Sequence, residues 1–196
     1  SCLVGSEMCI RDSGKWWQSL RNAPKLVCLA RTFPKHAEEL GNPKPAEPLY
    51  FIKSTSSIIG DGDIIRLPAQ SSLIHHEGEI AVVLQKRLCS ATVEESMRAV
   101  RGFTLLNDVT ARDIQQNEGG RFCRAKSFDS FCPMSLEILE RIAWQNLSVS
   151  CAVNGQLRQH GKLTEMFMTP FALLSWLSVQ LTLNPGDVVA LGTPPG

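Results

Sequence analysis

The hydrophobic pattern of this chain changes period often and over short stretches. Apolar runs at Lys25 to Ala30 (KLVCLA), Leu49 to Ile52 and Val188 to Leu191 are too brief for helices and read as strands. Ile64, Ile65 and Leu67, following the turn Gly60-Asp61-Gly62-Asp63, predict a further strand, as does Gly102 to Asn107. Asn154-Gly155 within Val149 to Leu157 predicts a hairpin turning at that dipeptide. Helical spacing is scarcer. Phe33 to Leu40 has helical character and is ended by Gly41, Asn42, Pro43 and Pro45. Thr92 and Glu95 predict a capping box for a helix reaching Val100. Ala111 to Gln116 suits a short helix, and Thr169 to Leu181 is the best amphipathic one. Many short strands with a few short helices predict an α+β, mostly β fold. There is no βαβ rhythm and no G-x-G-x-x-G, so a nucleotide-binding fold is not expected.

The same alternation picks out chemistry. In HHEGEIAVVL, Glu77 and Glu79 are two apart on a strand and so project from one face. Asp108 closes the run RGFTLLND. Two like charges side by side cost free energy unless neutralised, and three hard oxygen donors suit Mg²⁺ or Mn²⁺. The bland alternative is a solvated strand edge carrying surface acids. His75 shares the face of Glu77 and Glu79, and a His-x-Glu-x-Glu run can hold a softer ion. The reading preferred for His75 is a pocket wall or edge. His76 points to the opposite face, and His160 is read as a surface residue.

Composition removes several classes of function. The chain has 196 residues, enough for one sizeable core, and a net charge of +1. No basic cluster with interleaved aromatics favours nucleic acid. No apolar run is long enough to span a bilayer, and the longest, Phe171 to Leu177, is broken by Ser175. The seven cysteines form no C-x-x-C pair and read as reduced, mostly buried thiols in a reducing compartment. That compartment is taken as the cytoplasm, with a mitochondrial location left open. Trp16 and Trp17 are read as packing residues.

Residues 1–13 carry no usable periodicity, and Cys2 to Ser13 reads as a translated sequencing adapter. They are taken as non-native, and 14–196 as a single catalytic domain truncated after TPPG.

Six segments together carry a resemblance: ARTFPKHAEELGNP, the strand with Glu77 and Glu79, NDVTARDIQ, AKSFDSFCP, VNGQLRQ and LNPGDVVALGTPPG. In order and spacing the chain resembles the fumarylacetoacetate hydrolase family, especially its acylpyruvase and oxaloacetate decarboxylase branch. The resemblance implies a mixed β-sandwich or β-roll of that family's C-terminal-domain type. It implies one Mg²⁺ or Mn²⁺ held by Glu77, Glu79 and Asp108. It further implies Lys126 as the cation that steadies a developing enolate, and His36 with Glu39 as a base that activates water. Arg112, Gln115 and Thr193 fall at substrate-contacting positions, although an ion pair of Arg112 with Asp113 or Asp129 is an open alternative. Relatives are usually homodimers.

Two departures bear on the site. The family's G-x-N-Y run reads Ala30-Arg31-Thr32-Phe33, and its F-x-K-P motif reads Phe51-Ile52-Lys53-Ser54. The leading expectation is metal-dependent hydrolysis of a C–C bond in an acylpyruvate by way of an enolate. Oxaloacetate decarboxylation and isomerisation of a dienoic 2-oxo acid are rivals at the same site. A catalytically silent binding protein is the rival of another class.

Overall fold

A computed structural model gives the architecture, describing residues 3–4, 7–8, 24–41 and 46–196. The expected composition of elements is found: mostly strands, with a few short helices. Leu3–Val4 (β1) and Glu7–Met8 (β2) form a short antiparallel pair near the start. Trp16, Trp17 and the helix-ending Asn42, Pro43 and Pro45 lie outside the described residues.

The centre is a five-stranded mixed sheet. It comprises Leu26–Ala30 (β3), Leu49–Lys53 (β4), Gly78–Leu84 (β7), Val100–Asn107 (β8) and Val188–Ala190 (β13). Their spatial order is β4-β3-β13-β7-β8, with β13 parallel to β3 and antiparallel to β7. Alternation divides the sheet into two unlike faces. One presents Val27, Leu29, Ile80, Val82, Val189 and Phe103 to the main core. Helix α5 (Pro170–Gln180) supplies Leu173, Leu174 and Leu177 to that core. The other face carries small residues on its central strands, namely Cys28, Ala190 and Ala81. Those short side chains leave room above the sheet, and the charged groups described below lie there.

Further pairs are Ile74–His75 (β6) with Thr110–Ala111 (β9), and Ile58–Ile59 (β5) with Cys132–Pro133 (β10). The predicted hairpin is Ser148–Val153 (β11) with Gln156–Lys162 (β12). Its turn residues Asn154 and Gly155 have φ of 52° and 75°, the left-handed geometry that this dipeptide favours. Helix α1 is Pro34–Glu39 and α2 is Val93–Ala99; Val100 already belongs to β8. The capping box forms, with Thr92 N–H donating to Glu95 Oε2 at 2.8 Å and Glu95 N–H to Thr92 Oγ1 at 3.2 Å. Helices α3 (Arg112–Asn117) and α4 (Cys123–Lys126) follow β9.

Three expectations fail. Residues 64–67 form no strand; Ile64 and Leu67 are exposed, and Arg66 N–H is satisfied by Ser130 Oγ instead of a ladder partner. Helix α5 is not cleanly amphipathic. Val179 is exposed, Phe171 and Trp176 are partly so, and its serines do not form a solvated face. Ser175 Oγ donates to Ala91 O, and Ser178 Oγ accepts from Ala91 N–H, so both tie down the segment ahead of α2. The described cysteines are all free but not mostly buried: Cys28 and Cys132 are buried, Cys151 is half-buried, and Cys89 and Cys123 are exposed.

Candidate active site

The strand geometry delivers the two glutamates as expected. Glu79 stands on β7 on the small-residue face, and Glu77 lies just before the strand. Asp108 follows the last residue of β8 and is brought level because its N–H bonds Glu77 O at 2.8 Å. Glu77 N–H in turn donates to Asn107 Oδ1 at 2.9 Å. One carboxylate oxygen from each of Glu77, Glu79 and Asp108 lies within 4.8 Å of the others, and all three residues are buried.

Three buried cations lie among these acids and pair with two of them, Glu77 and Asp108. Lys126 Nζ on α4 donates to Glu77 Oε2 at 2.6 Å, Asp108 Oδ2 at 2.5 Å and Thr110 Oγ1 at 2.9 Å. Arg112, at the start of α3, pairs with Glu77 Oε1, and its Nε donates to His75 Nδ1 at 3.3 Å. Neither Asp113 nor Asp129 is its partner. Lys53, 1 % exposed, donates to Asp108 Oδ1 at 2.7 Å and to the Lys126 carbonyl. The site is therefore balanced, not left one charge short by three lone acids.

The balance is uneven among the acids. Burial would push the Glu77 carboxyl up, but Lys126 and Arg112 override it and hold it at about 2. Burial likewise disfavours the Lys126 ammonium, and Asp108 and Glu77 more than reverse that, so its pKa is raised. Glu79 goes the other way: burial, then Asp108, push its carboxyl well up. Among the described residues no lysine or arginine pairs with Glu79, which accepts a 2.9 Å bond from Gly192 N–H. A buried carboxylate without a counter-charge, converging with two others, is a donor set that fits a hard divalent cation.

Glu77, Glu79, Asp108, Arg112 and Lys126 line one cavity of about 410 Å³. His36, Arg112, Gln115, Lys126 and Thr193 all line it beside the three acids. On α1, His36 Nδ1 and Glu39 Oε2 are 3.1 Å apart, so the predicted pair forms. Glu39 also accepts from Gly196 N–H at 3.2 Å. Arg112 and Gln115 share a helix face and are hydrogen-bonded to each other. The Thr193 hydroxyl donates to Gly78 O at 3.1 Å and accepts from Gln159 Nε2 at 2.9 Å. His75 lies against Arg112 and is not part of the acid cluster. His76 pairs with Gln159, and His160 with Ser150 on the hairpin.

Thr32, where the family's asparagine would stand, is buried and donates to Leu191 O at 2.6 Å, so here it secures the loop and not a ligand. Phe33 is core. Two residues went unrecognised as site residues in the sequence reading. Lys53 was legible, since alternation puts it on the face of buried Phe51. Arg31, which unlike Lys53 lines the cavity, gave no such signal.

Residues 25–196 match the family described as Fumarylacetoacetate (FAA) hydrolase C-terminal. The chain belongs to the fumarylacetoacetate hydrolase family. An uncharacterised protein of Methanocaldococcus jannaschii is 39 % identical over 172 residues, covering 88 % of this chain and 72 % of its own. The mitochondrial oxaloacetate tautomerase FAHD2A of Homo sapiens is 38 % identical over 176 residues, covering 88 % of this chain and 56 % of that protein. The chain thus spans little more than half of that family member. Among solved structures, 5-carboxymethyl-2-hydroxymuconate delta-isomerase from Mycobacterium smegmatis superposes with a TM-score of 0.80 at 35 % identity, over 88 % of this chain and 68 % of that one. No helix among the described residues is long and apolar enough to cross a membrane.

Proposed function

We propose that this fumarylacetoacetate hydrolase family chain acts on a 2-oxo acid by way of its enolate, with keto–enol proton transfer as its reaction. The observation that carries this reading is the placement of the three converging carboxylates on the wall of the cavity that His36 also lines. Glu77, Glu79 and Asp108 would hold Mg²⁺ or Mn²⁺. A divalent cation there supplies Lewis-acid polarisation of a keto oxygen. The chain's own side chains do the rest. Arg112 and Lys126 offer positive charge to an anionic substrate, and Gln115 and Thr193 offer neutral hydrogen bonds. Glu39 accepts from His36 Nδ1–H, which leaves Nε2 free to take a proton. The names of the human tautomerase and the mycobacterial isomerase, both proton-transposing activities, support this choice.

Hydrolysis of the C–C bond of an acylpyruvate is the second reading, and the His36–Glu39 pair favours it. In that reaction His36 takes a proton from water, and the hydroxide adds to the distal carbonyl. The bond to the pyruvate carbon then breaks, and Lys126 faces the charge that develops on the leaving enolate.

The test follows the enol absorbance of oxaloacetate, and fragment release from an acylpyruvate, with Mg²⁺ or Mn²⁺ and after chelation. Faster ketonisation without CO₂ or fragments supports tautomerisation. Acid and pyruvate released from the acylpyruvate support hydrolysis, and CO₂ release supports decarboxylation. Replacement His36→Ala is expected to remove at least a hundredfold of either base-catalysed reaction. Failure to accelerate any of these with either cation leaves the silent binding protein standing.

A further inference from the structure

The segment VNGQLRQ ends on Gln159, which is 2 % exposed on β12, a strand whose other side chains are exposed. A buried primary amide costs free energy unless its donors and acceptors are met. Here they are met four times. Gln159 Oε1 accepts from Gly78 N–H at 3.0 Å and lies 3.1 Å from His76 Nδ1. Its Nε2 donates to Thr193 Oγ1 and to Pro194 O, both at 2.9 Å. The amide cannot be turned over. Gly78 N–H can only donate and Pro194 O can only accept, so the backbone assigns the amide oxygen and nitrogen to their ends. His76 then carries its proton on Nδ1.

These bonds meet at the active site, although Gln159 does not itself line the cavity. Gly78 stands between Glu77 and Glu79, and its carbonyl accepts from the Thr193 hydroxyl at 3.1 Å. Gln159, Thr193 and Gly78 therefore close a ring of three hydrogen bonds. The Thr193 hydroxyl gives its proton to Gly78 O and a lone pair to Gln159, which holds it in one orientation beside the cavity that Thr193 lines. Gly192, one residue earlier, donates to Glu79.

Packing makes the same connection independently. A Cβ at Gly161, two residues further along the same face of β12, would meet Pro194 Cβ at 2.4 Å. Only glycine lets the strand lie this close to the 192–194 loop.

We infer that Gln159 is a positioning residue of the active site. It aims the Thr193 hydroxyl at the bound acid and clamps the 192–194 loop to the backbone between the two glutamates. The hairpin of β11 and β12 thereby braces the site from outside. The substrate contact in this inference rests on the enolate reading above.

The test is a double-mutant cycle on enol–keto conversion of oxaloacetate by the Mg²⁺-loaded full chain. Gln159→Met keeps the volume and removes all four bonds, and Thr193→Val removes the hydroxyl. Each is expected to raise KM about fivefold with kcat within about twofold of wild type. Together they are expected to raise KM little beyond either alone, because one acts through the other. Gln159→Glu keeps an acceptor for Gly78 N–H, gives Thr193 no donor, and is expected to match Gln159→Met. Effects on KM that multiply, or an unchanged KM in Gln159→Met, overturn the inference and leave the enolate reading intact. Loss of folding in both Gln159 variants assigns the amide to the fold alone and overturns it likewise. No conversion of any 2-oxo acid by wild type overturns both.

Discussion

Lys53 and Glu79 sit on the same face of one sheet and meet opposite fates. The Lys53 ammonium is fully enclosed, with Asp108 as its counter-ion. Breaking such a pair leaves a buried carboxylate short of a partner, so Lys53→Met is expected to cost about 3 kcal/mol in a urea unfolding curve. A loss below 1 kcal/mol would show Asp108 to be served well enough by Lys126 alone. Glu79 lacks a cation, and an added one should stabilise the fold. At a hundredfold excess over Kd, Mg²⁺ or Mn²⁺ is expected to add about 2.7 kcal/mol, read as a rise in Tm. Glu79→Gln is expected to abolish that rise, and an unchanged rise would remove the acidic centre from the metal site. At this scale the sequence was readable wherever spacing alone fixes a direction, as for Glu77, Glu79, His36 and Glu39. It was opaque where a partner comes from far along the chain. Nothing near Arg112 in sequence announces Glu77, which is 35 residues away.

Elements were legible where local bonds decide them. The Thr92–Glu95 box and the Asn154-Gly155 turn carry their instructions within four residues, and both formed. Residues 64–67 show the converse, since an apolar run makes a strand only when a neighbour offers a ladder. What organises that region is a side chain. Asp113, on the first turn of α3, accepts from Ser71 Oγ at 2.5 Å and Ser72 N–H at 2.8 Å, pinning the 68–73 loop to the helix. Those bonds, the Ser71 hydroxyl foremost, hold its carboxyl at about 2, below the usual 3.8. A carboxyl depressed on folding contributes stability that is complete above its unfolded value and lost below it. The melting difference between wild type and Asp113→Ala is therefore expected to be constant above pH 5 and to vanish as pH falls from about 4 towards 2. A difference that persists at pH 2 would assign the loop's anchoring to some other contact.

At the scale of the whole molecule, the family resemblance implies a homodimer. Exposed apolar side chains supply surface for one: Ile64 is 80 % exposed and Leu67 67 %. Sedimentation of the wild type is expected to give twice the chain mass, and Ile64→Asp with Leu67→Asp to give one. A wild-type monomer would remove that expectation. The site itself is assembled from the full breadth of the fold. Its acids come from β7, from the residue before it and from the residue after β8, Lys53 from β4, and Lys126 and Arg112 from the short helices after β9. The backbone donor to Glu79 is Gly192, just past β13.

That last contribution has a consequence for how the protein is made. Strand β13 occupies the middle of the sheet, between β3 and β7, yet it is the last of these five strands along the chain and leaves the ribosome after the other four. Until it emerges, a gap separates the nascent halves, and both flanking strands present bare hydrogen-bonding edges to whatever they meet. Translation must therefore carry the chain past Ala190 before the keystone drops in. Chaperone shielding during synthesis is the demand that this topology places on the cell.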